Sequence, residues 1–226
     1  MKLAVLFSGG KDSCYAMHKA MQENEIACLI SILSENKESY MFHTPNIHMV
    51  DLQAEAIGIP LMKFTTKGEK ELELKDLKDA IKQAKEKYQF EGIVTGAIAS
   101  VYQADRIQKI CDELNLKCIN PLWKKDQKEL LFELIENNFK VMIIGIFAYP
   151  LDKTWLGKEL DENIINNLIV LRDKYKINPA GEGGEIETLV LDAPFFKKKI
   201  EITDSEIDAK GNAGIIIIKD AKLTDK

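Results

Sequence analysis

Along the first 120 residues the apolar positions switch repeatedly between unbroken runs and a 3–4 spacing. Residues 3–7 are a continuous apolar run of strand length that ends at two glycines. Residues 12–22 follow as a helix, with Cys14, Met17, His18 and Met21 close to one face. Residues 26–33 read as a second strand. After a polar stretch containing Pro45, residues 46–57 read as a helix stopped by Gly58. Residues 61–65 are a third strand. Residues 69–88 place Leu74, Leu77, Ile81, Ala84 and Tyr88 on one helical face with Lys and Glu opposite. A short buried strand at 92–95, a helix at 100–116 and a fifth strand at 117–119 complete this part. Alternating strands and helices predict a doubly wound parallel sheet of the α/β class. Ligands of such sheets sit at the carboxyl ends of the strands. Ser8-Gly9-Gly10 lies at one such end and Gly96-Ala97-Ile98 at another.

Past Pro121 the rhythm changes. Helices are expected at 130–136 and 162–174, and strands at 140–147, 186–191, 198–202 and 213–218, the last three without long helices between them. The expected division is residues 1–120 as the parallel α/β unit and 121–226 as a smaller α+β portion packed on it. No repeat or low-complexity linker separates the two.

Composition narrows the class. Hydrophobic residues are 46% and charged residues 30% of the 226, as in an ordinary globular protein. A net charge of -5 disfavours direct nucleic-acid binding through a broad basic surface. Lys197-Lys198-Lys199 reads as a solvated strand end. No apolar run approaches the roughly 20 residues that span a bilayer, and the N-terminus lacks a signal-peptide pattern. The expected location is the cytoplasm, where Cys14, Cys28, Cys111 and Cys118, none in a CxxC pair, are expected as free thiols. A homodimer is allowed, but no residue pattern demands one.

The chemistry concentrates in Ser8-Gly9-Gly10-Lys11-Asp12-Ser13. A strand that ends in glycines and runs into a helix presents unpaired amides to an anion. Ser8 and Ser13 add hydroxyl donors and Lys11 a cation, while the glycines let phosphate oxygens approach the main chain. Asp12 would repel a phosphate, so it suits a helix cap or a ligand for an accompanying Mg²⁺. The loop is not a Walker A motif: Val5 stands where the first glycine belongs, and Asp12 where Ser or Thr should follow the lysine. Gly96 and Ala97, at a strand end, suit the approach of adenine or ribose.

In this setting SGGKDS resembles the pyrophosphate loop of the N-type ATP pyrophosphatases, which cleave ATP to AMP and pyrophosphate and activate an oxygen as an adenylate. Four further stretches resemble one family within that group, the diphthine–ammonia ligases: HTPN from His43 to Asn46, GAIASVYQADR from Gly96 to Arg106, PLW with WLG at Pro121 and Trp155, and NPAGEGGEIET from Asn178 to Thr188. The resemblance implies an adenine-nucleotide α-hydrolase-like fold, ATP with Mg²⁺, ammonium as the nitrogen source, and diphthine-bearing translation elongation factor 2 as protein substrate. Diphthine carries a carboxylate, to become an amide, and a trimethylammonium group.

Residue by residue, Ser8 to Ser13 with Gly96 and Ala97 would hold the nucleotide, and Asp12 the metal. Lys11, Asp12, Glu182 and Glu185 would act in catalysis. His43, Asn46, Tyr102, Gln103, Arg106, Trp123, Trp155 and Glu187 would face the substrate. Each also has a plainer reading: Tyr102, Gln103 and Arg106 as helix surface, Trp123 and Trp155 as core, the glutamates as solvated loop residues. Among Trp123, Trp155, Tyr102 and Tyr149 at least one aromatic face is expected near the trimethylammonium. Two alternatives stay open at this point: a related ATP pyrophosphatase acting on another target such as a tRNA base, and a non-catalytic adenine-nucleotide sensor.

Overall fold

The computed structural model describes residues 1–35, 46–69 and 72–226. Five strands, β1 (Lys2–Leu6), β2 (Glu25–Ser34), β3 (Leu61–Thr66), β4 (Gly92–Val94) and β5 (Lys117–Ile119), form one sheet in the order β3-β2-β1-β4-β5. Every neighbouring pair is parallel. The order reverses between β1 and β4, which opens a crevice where β1 ends.

Both faces of this sheet are buried, as the continuous apolar runs require. Leu3, Val5 and Phe7 pack on α1 (Lys11–Met21) and α2 (Val50–Ile57), while Ala4, Cys28, Ile30 and Ile32 pack under α3 (Leu72–Tyr88) and α4 (Val101–Glu113). Gly58 ends α2 in the left-handed conformation, φ 75°, as its place after the last apolar turn implies. The helix expected from Asn46 is a 3-10 turn over Ile47–Met49 before α2 proper.

The second sheet is antiparallel, in the order β7-β6-β9-β8, from β6 (Lys140–Ile146), β7 (Ile186–Asp192), β8 (Lys199–Lys210) and β9 (Ala213–Thr224). It is flanked by α5 (Gln127–Glu136) and α6 (Glu162–Tyr175), each capped by an aspartate, Asp126 and Asp161, that accepts a bond from a first-turn amide. The β8–β9 hairpin runs far beyond the expected ends at 202 and 218. Thr203 to Glu206 are polar and exposed on both faces, so no apolar alternation marks them; the ladder is held by backbone pairing from Lys199↔Thr224 to Lys210↔Ala213. One apolar core runs from Leu3 and Val5 through α1 and α2 into Val141, Ile143 and Val190 of the second sheet. The two portions are thus packed through a shared interior. Cys14, Cys28 and Cys111 are buried, Cys118 is half-buried, and all four are free thiols.

Candidate active site

The turn after β1 is organised by short hydroxyl bonds. Gly9 takes φ 77°, which favours glycine. Ser8 N donates to Ser13 Oγ at 3.3 Å, Gly10 N to Ser8 Oγ at 3.4 Å, and Ser13 Oγ to Gly10 O at 3.2 Å. Helix α1 begins at Lys11 with Gly10 as its N-cap and no side-chain cap, so Asp12 lies inside the first turn and does not serve as the cap. Its carboxylate instead takes both hydrogen bonds from Lys11 Nζ, at 2.9 and 2.7 Å, and Lys11 is only 4% exposed. A carboxylate in the first turn also meets the positive end of the helix dipole. Gly96 packs flush on this helix start: a Cβ there would stand 2.8 Å from Asp12 C and Ser13 N.

Strand β7 closes the other side. Val190 N donates to Gly9 O at 3.0 Å, and Lys11 N donates to Thr188 Oγ1 at 3.2 Å. Gln53 of α2, fully buried, donates Nε2 to Gly9 O and to Val190 O, both at 2.8 Å. The loop of the first portion and the glutamate-bearing strand of the second are therefore one hydrogen-bonded unit. Hydroxyls of Ser8, Ser13 and Thr188 occupy amides that would otherwise be orphans, where phosphate oxygens can replace them.

Between these walls lies a cleft of about 860 Å³. Its lining combines apolar side chains, Leu6, Ile30, Ile32, Leu77 and Ile107, with the charged Lys11, Asp12, Glu182 and Glu187. Ser8, Gly10, Ser13, Gly96, Ala97 and Gln103 also line it. Gly9 supports the loop from behind through its carbonyl.

The three glutamates of the glycine-rich stretch differ sharply. Glu185 turns back on its own loop, accepting from Asn178 N at 3.0 Å and Gly183 N at 2.9 Å; it shapes the loop and does not line the cleft. That corrects its expected catalytic place. Glu182 lines the cleft and accepts from Ala99 N at 3.2 Å, latching its loop to the β4–α4 turn. Burial, then the charge of Asp12, raises its carboxyl above the ordinary range. Glu187 lies on β7 facing Lys11 and Asp12, and burial pushes its carboxyl up to about 7.

Several expected substrate contacts lie elsewhere. Asn46 spends its amide on the β9 backbone, donating to Ile216 O at 2.7 Å and accepting from Ile218 N at 2.8 Å, and it does not line the cleft. Arg106 stacks its guanidinium 3.3 Å from the Tyr102 ring centroid and bonds Tyr102 O; this half-buried pair does not line the cleft, whereas Gln103 does. Trp155 packs against the main core under Lys158, and Trp123 sits half-buried in the turn after β5; neither lines the cleft. Tyr149 stacks edge-on with Tyr175 on the surface. None of the four expected aromatic faces lines the cleft. His43 lies outside the described residues. Among the described residues no group of three His, Cys, Asp or Glu could hold a metal by itself, and no helix is long and apolar enough to cross a membrane.

Family models for the diphthamide synthase N-terminal and C-terminal domains match residues 1–118 and 126–224. The chain belongs to the diphthamide synthase family. It is 40% identical to the diphthine–ammonia ligase of Homo sapiens over 227 residues, covering 92% of this chain and 85% of that protein. The Bos taurus diphthine–ammonia ligase is 39% identical over the same shares. That of Schizosaccharomyces pombe is 35% identical over 97% of this chain and 39% of its own length. As a member of this family the protein is a ligase. A solved structure titled "U34-tRNA thiolase NcsA from Methanococcus maripaludis with its [4Fe-4S] cluster" overlaps 82% of the chain at 16% identity and a TM-score of 0.40, too loosely to weigh on function.

Three residues in or beneath the cleft escape a reading by residue type. Gln53 sits on an amphipathic helix, and nothing local marks it as buried beneath the loop. Thr188 follows the glutamates as an ordinary strand residue. Phe147, an exposed aromatic side chain lining the cleft, reads as the last residue of a strand. Only its place after a strand that ends Gly145-Ile146, with no bulk at 145, hints that it can fold inward.

Proposed function

We propose that this ligase converts the carboxylate of diphthine on translation elongation factor 2 to an amide, using ammonium and cleaving ATP to AMP and pyrophosphate, in the cytoplasm. The observation that supports this reading is the bonding of β7 to the Ser8–Ser13 turn through Val190, Thr188 and Gln53, which brings that turn and two glutamates to one cleft. The name of its relatives, diphthine–ammonia ligase, supports diphthine as the substrate.

The residues fit ATP. The apolar recess at Leu6, Ile30, Ile32 and Leu77 suits a flat base, and the loop of Ser8, Gly10 and Ser13 suits the β- and γ-phosphates. Lys11 supplies the cation. Its partner Asp12, with Glu182 and Glu187, would repel a bare polyphosphate. Asp12 is therefore suited to hold Mg²⁺ that arrives with the phosphates, since Mg²⁺ takes few protein ligands and keeps waters. The ion would neutralise phosphate charge there.

The chain's own groups then do the following. The first-turn amides and Lys11 stabilise negative charge as pyrophosphate leaves. The cleft holds the diphthine carboxylate in line with the α-phosphorus, so that adenylation makes it an acyl donor. Ammonia is nucleophilic only when neutral, so a base must take a proton from ammonium. Glu182, next to Asp12 and Lys11 with one oxygen bonded to Ala99 N, suits that task. The test is incubation of diphthine-bearing factor with ATP, Mg²⁺, ammonium and the protein, followed by mass spectrometry. Replacement of hydroxyl by amino on the modified histidine, with AMP formed, is expected. ADP formation, or no change in the factor, would remove the reading.

A further inference from the structure

In the antiparallel ladder of β6 and β7, Gly145 stands opposite Glu187. Gly145 has no side chain, and two neighbours use the space. A Cβ built there would lie 2.9 Å from Glu187 Cβ and 2.9 Å from Phe147 Cε2. Ring edge and carboxylate stem therefore converge on one spot, inside the roughly 6 Å reach of a cation–π contact. Phe147 is held there by its backbone, whose N–H donates to Glu185 O at 2.9 Å. Phe147 is 41% exposed and lines the cleft, whereas Ile143, Ile144 and Ile146 of the preceding strand are fully buried.

Glu187 has no hydrogen bond or ion pair among the described residues, although it is deeply set and Lys11 and Asp12 both act on it at longer range. A half-buried carboxylate with no side-chain partner, lining a cleft beside a partly exposed aromatic ring, selects a cation. A metal ion would want several oxygen ligands, and an N–H cation would want acceptors on all sides. Here Asp12 is paired with Lys11 and Glu182 accepts from Ala99 N, which leaves the Glu187 carboxylate and the ring. A quaternary ammonium asks for no hydrogen bonds and is attracted by both.

We propose that Phe147 and Glu187 form the subsite for the quaternary-ammonium end of the substrate, and that this pair makes the enzyme prefer the fully methylated acid to less methylated precursors. The proposal rests on the substrate reading given above. A precursor lacking a methyl group can give its N–H to Glu187, but it loses a methyl contact with the ring and must shed a more tightly held water shell, so it enters at a cost.

The test is steady-state amidation of elongation factor bearing either the trimethylated or a partly methylated side chain. Phe147→Leu should raise KM for the trimethylated factor about tenfold, the lower range of a desolvated cation–π contact. It should bring the preference for methylation close to unity and leave KM for ATP and for ammonium within about twofold of wild type. Phe147→Tyr, which keeps the ring, should restore the preference. Retained preference in Phe147→Leu, or a rise in KM for ammonium instead, would overturn the subsite. Tetramethylammonium separates the two readings: in an NMR titration it should shift the Phe147 ring resonances of the wild-type protein. Binding without amidation of any factor would keep the subsite and sink the substrate assignment. Amidation without such binding would do the reverse.

Discussion

The two walls of the cleft are built by different means. The side around Ser8 to Ser13, proposed to hold phosphate, is local: β1, a four-residue turn and the start of α1 hold Ser8, Lys11, Asp12 and Ser13 within one stretch of chain. The glutamate side is a register: Glu187 faces the cleft because β7 pairs with β6, and Glu185, two residues earlier, falls before the strand begins and bonds its own loop. Local geometry tolerates substitution of a contact without moving the others. A register carries every side chain with it, since a slip of one residue reverses the faces. The phosphate wall should therefore lose chemistry and keep its fold, whereas the seam between the walls should lose both.

The largest effect is expected on the phosphate wall. Lys11→Ala and Ser8→Ala should each slow formation of AMP and pyrophosphate by about 10²–10³, the usual loss when a donor to developing charge is removed. Thermal unfolding should stay close to wild type, because these polar groups face the cleft. A parallel collapse of stability would show that the loop is a fold element first. Next comes Glu182→Gln, whose amide oxygen can still accept from Ala99 N and keep the latch. Loss of the proton acceptor should slow amide formation by about 10² or more. Exchange of labelled pyrophosphate into ATP, in the presence of diphthine-bearing factor, should survive. Disappearance of the exchange would assign Glu182 to the adenylation step.

The seam itself is tested at Gln53. Gln53→Leu removes two buried donors, leaving Val190 O without that partner and Gly9 O with Val190 N alone. A buried acceptor left unmet costs about 1–3 kcal/mol, so the urea midpoint should fall by that equivalent. KM for ATP should rise as well, because the loop loses its support. Unchanged stability with unchanged KM would mean that the backbone bond from Val190 is sufficient by itself.

How far these walls could be read from sequence follows from the same contrast. The parallel sheet, its two helical layers and the anion turn are legible because each depends on periodicity or on neighbours a few residues apart. The glutamate stretch is legible as a motif, but which glutamate faces the cleft is not: Glu182, Glu185 and Glu187 are alike in type, and only the ladder and the Gly183 turn sort them. Asn46 misleads because a polar residue in a matching stretch looks free, while its amide is bonded to the backbone of a strand 170 residues away. The length of the β8–β9 hairpin is hidden for the opposite reason, a solvated ribbon having no apolar face to mark it. Phe147 and Gln53 owe their places to what lies across from them, a missing side chain at Gly145 and a carbonyl at Gly9.

The smallest effect concerns Glu187 and its titration. The folded protein holds this carboxyl at about 7, against an ordinary 4.5, because burial disfavours the charge and Asp12 adds to the burden while Lys11 relieves part of it. Between these two values the unfolded chain has released a proton that the folded chain still binds. Stability then falls as pH rises through that window and is level above it. Full conversion of the shift would give about 3 kcal/mol, and the carboxyl's partial exposure in the cleft reduces this to roughly 2 kcal/mol. Glu187→Gln removes the titration while keeping shape. The variant should match wild type in urea unfolding near pH 4.5 and exceed it by roughly 2 kcal/mol at pH 8. Tetramethylammonium should narrow the gap at pH 8, because a cation at the carboxylate favours the charged form in the folded protein. An equal difference at both pH values would mean that Glu187 is charged and solvated in the fold. The register that points it toward Lys11 would then be shaping a surface and not a site.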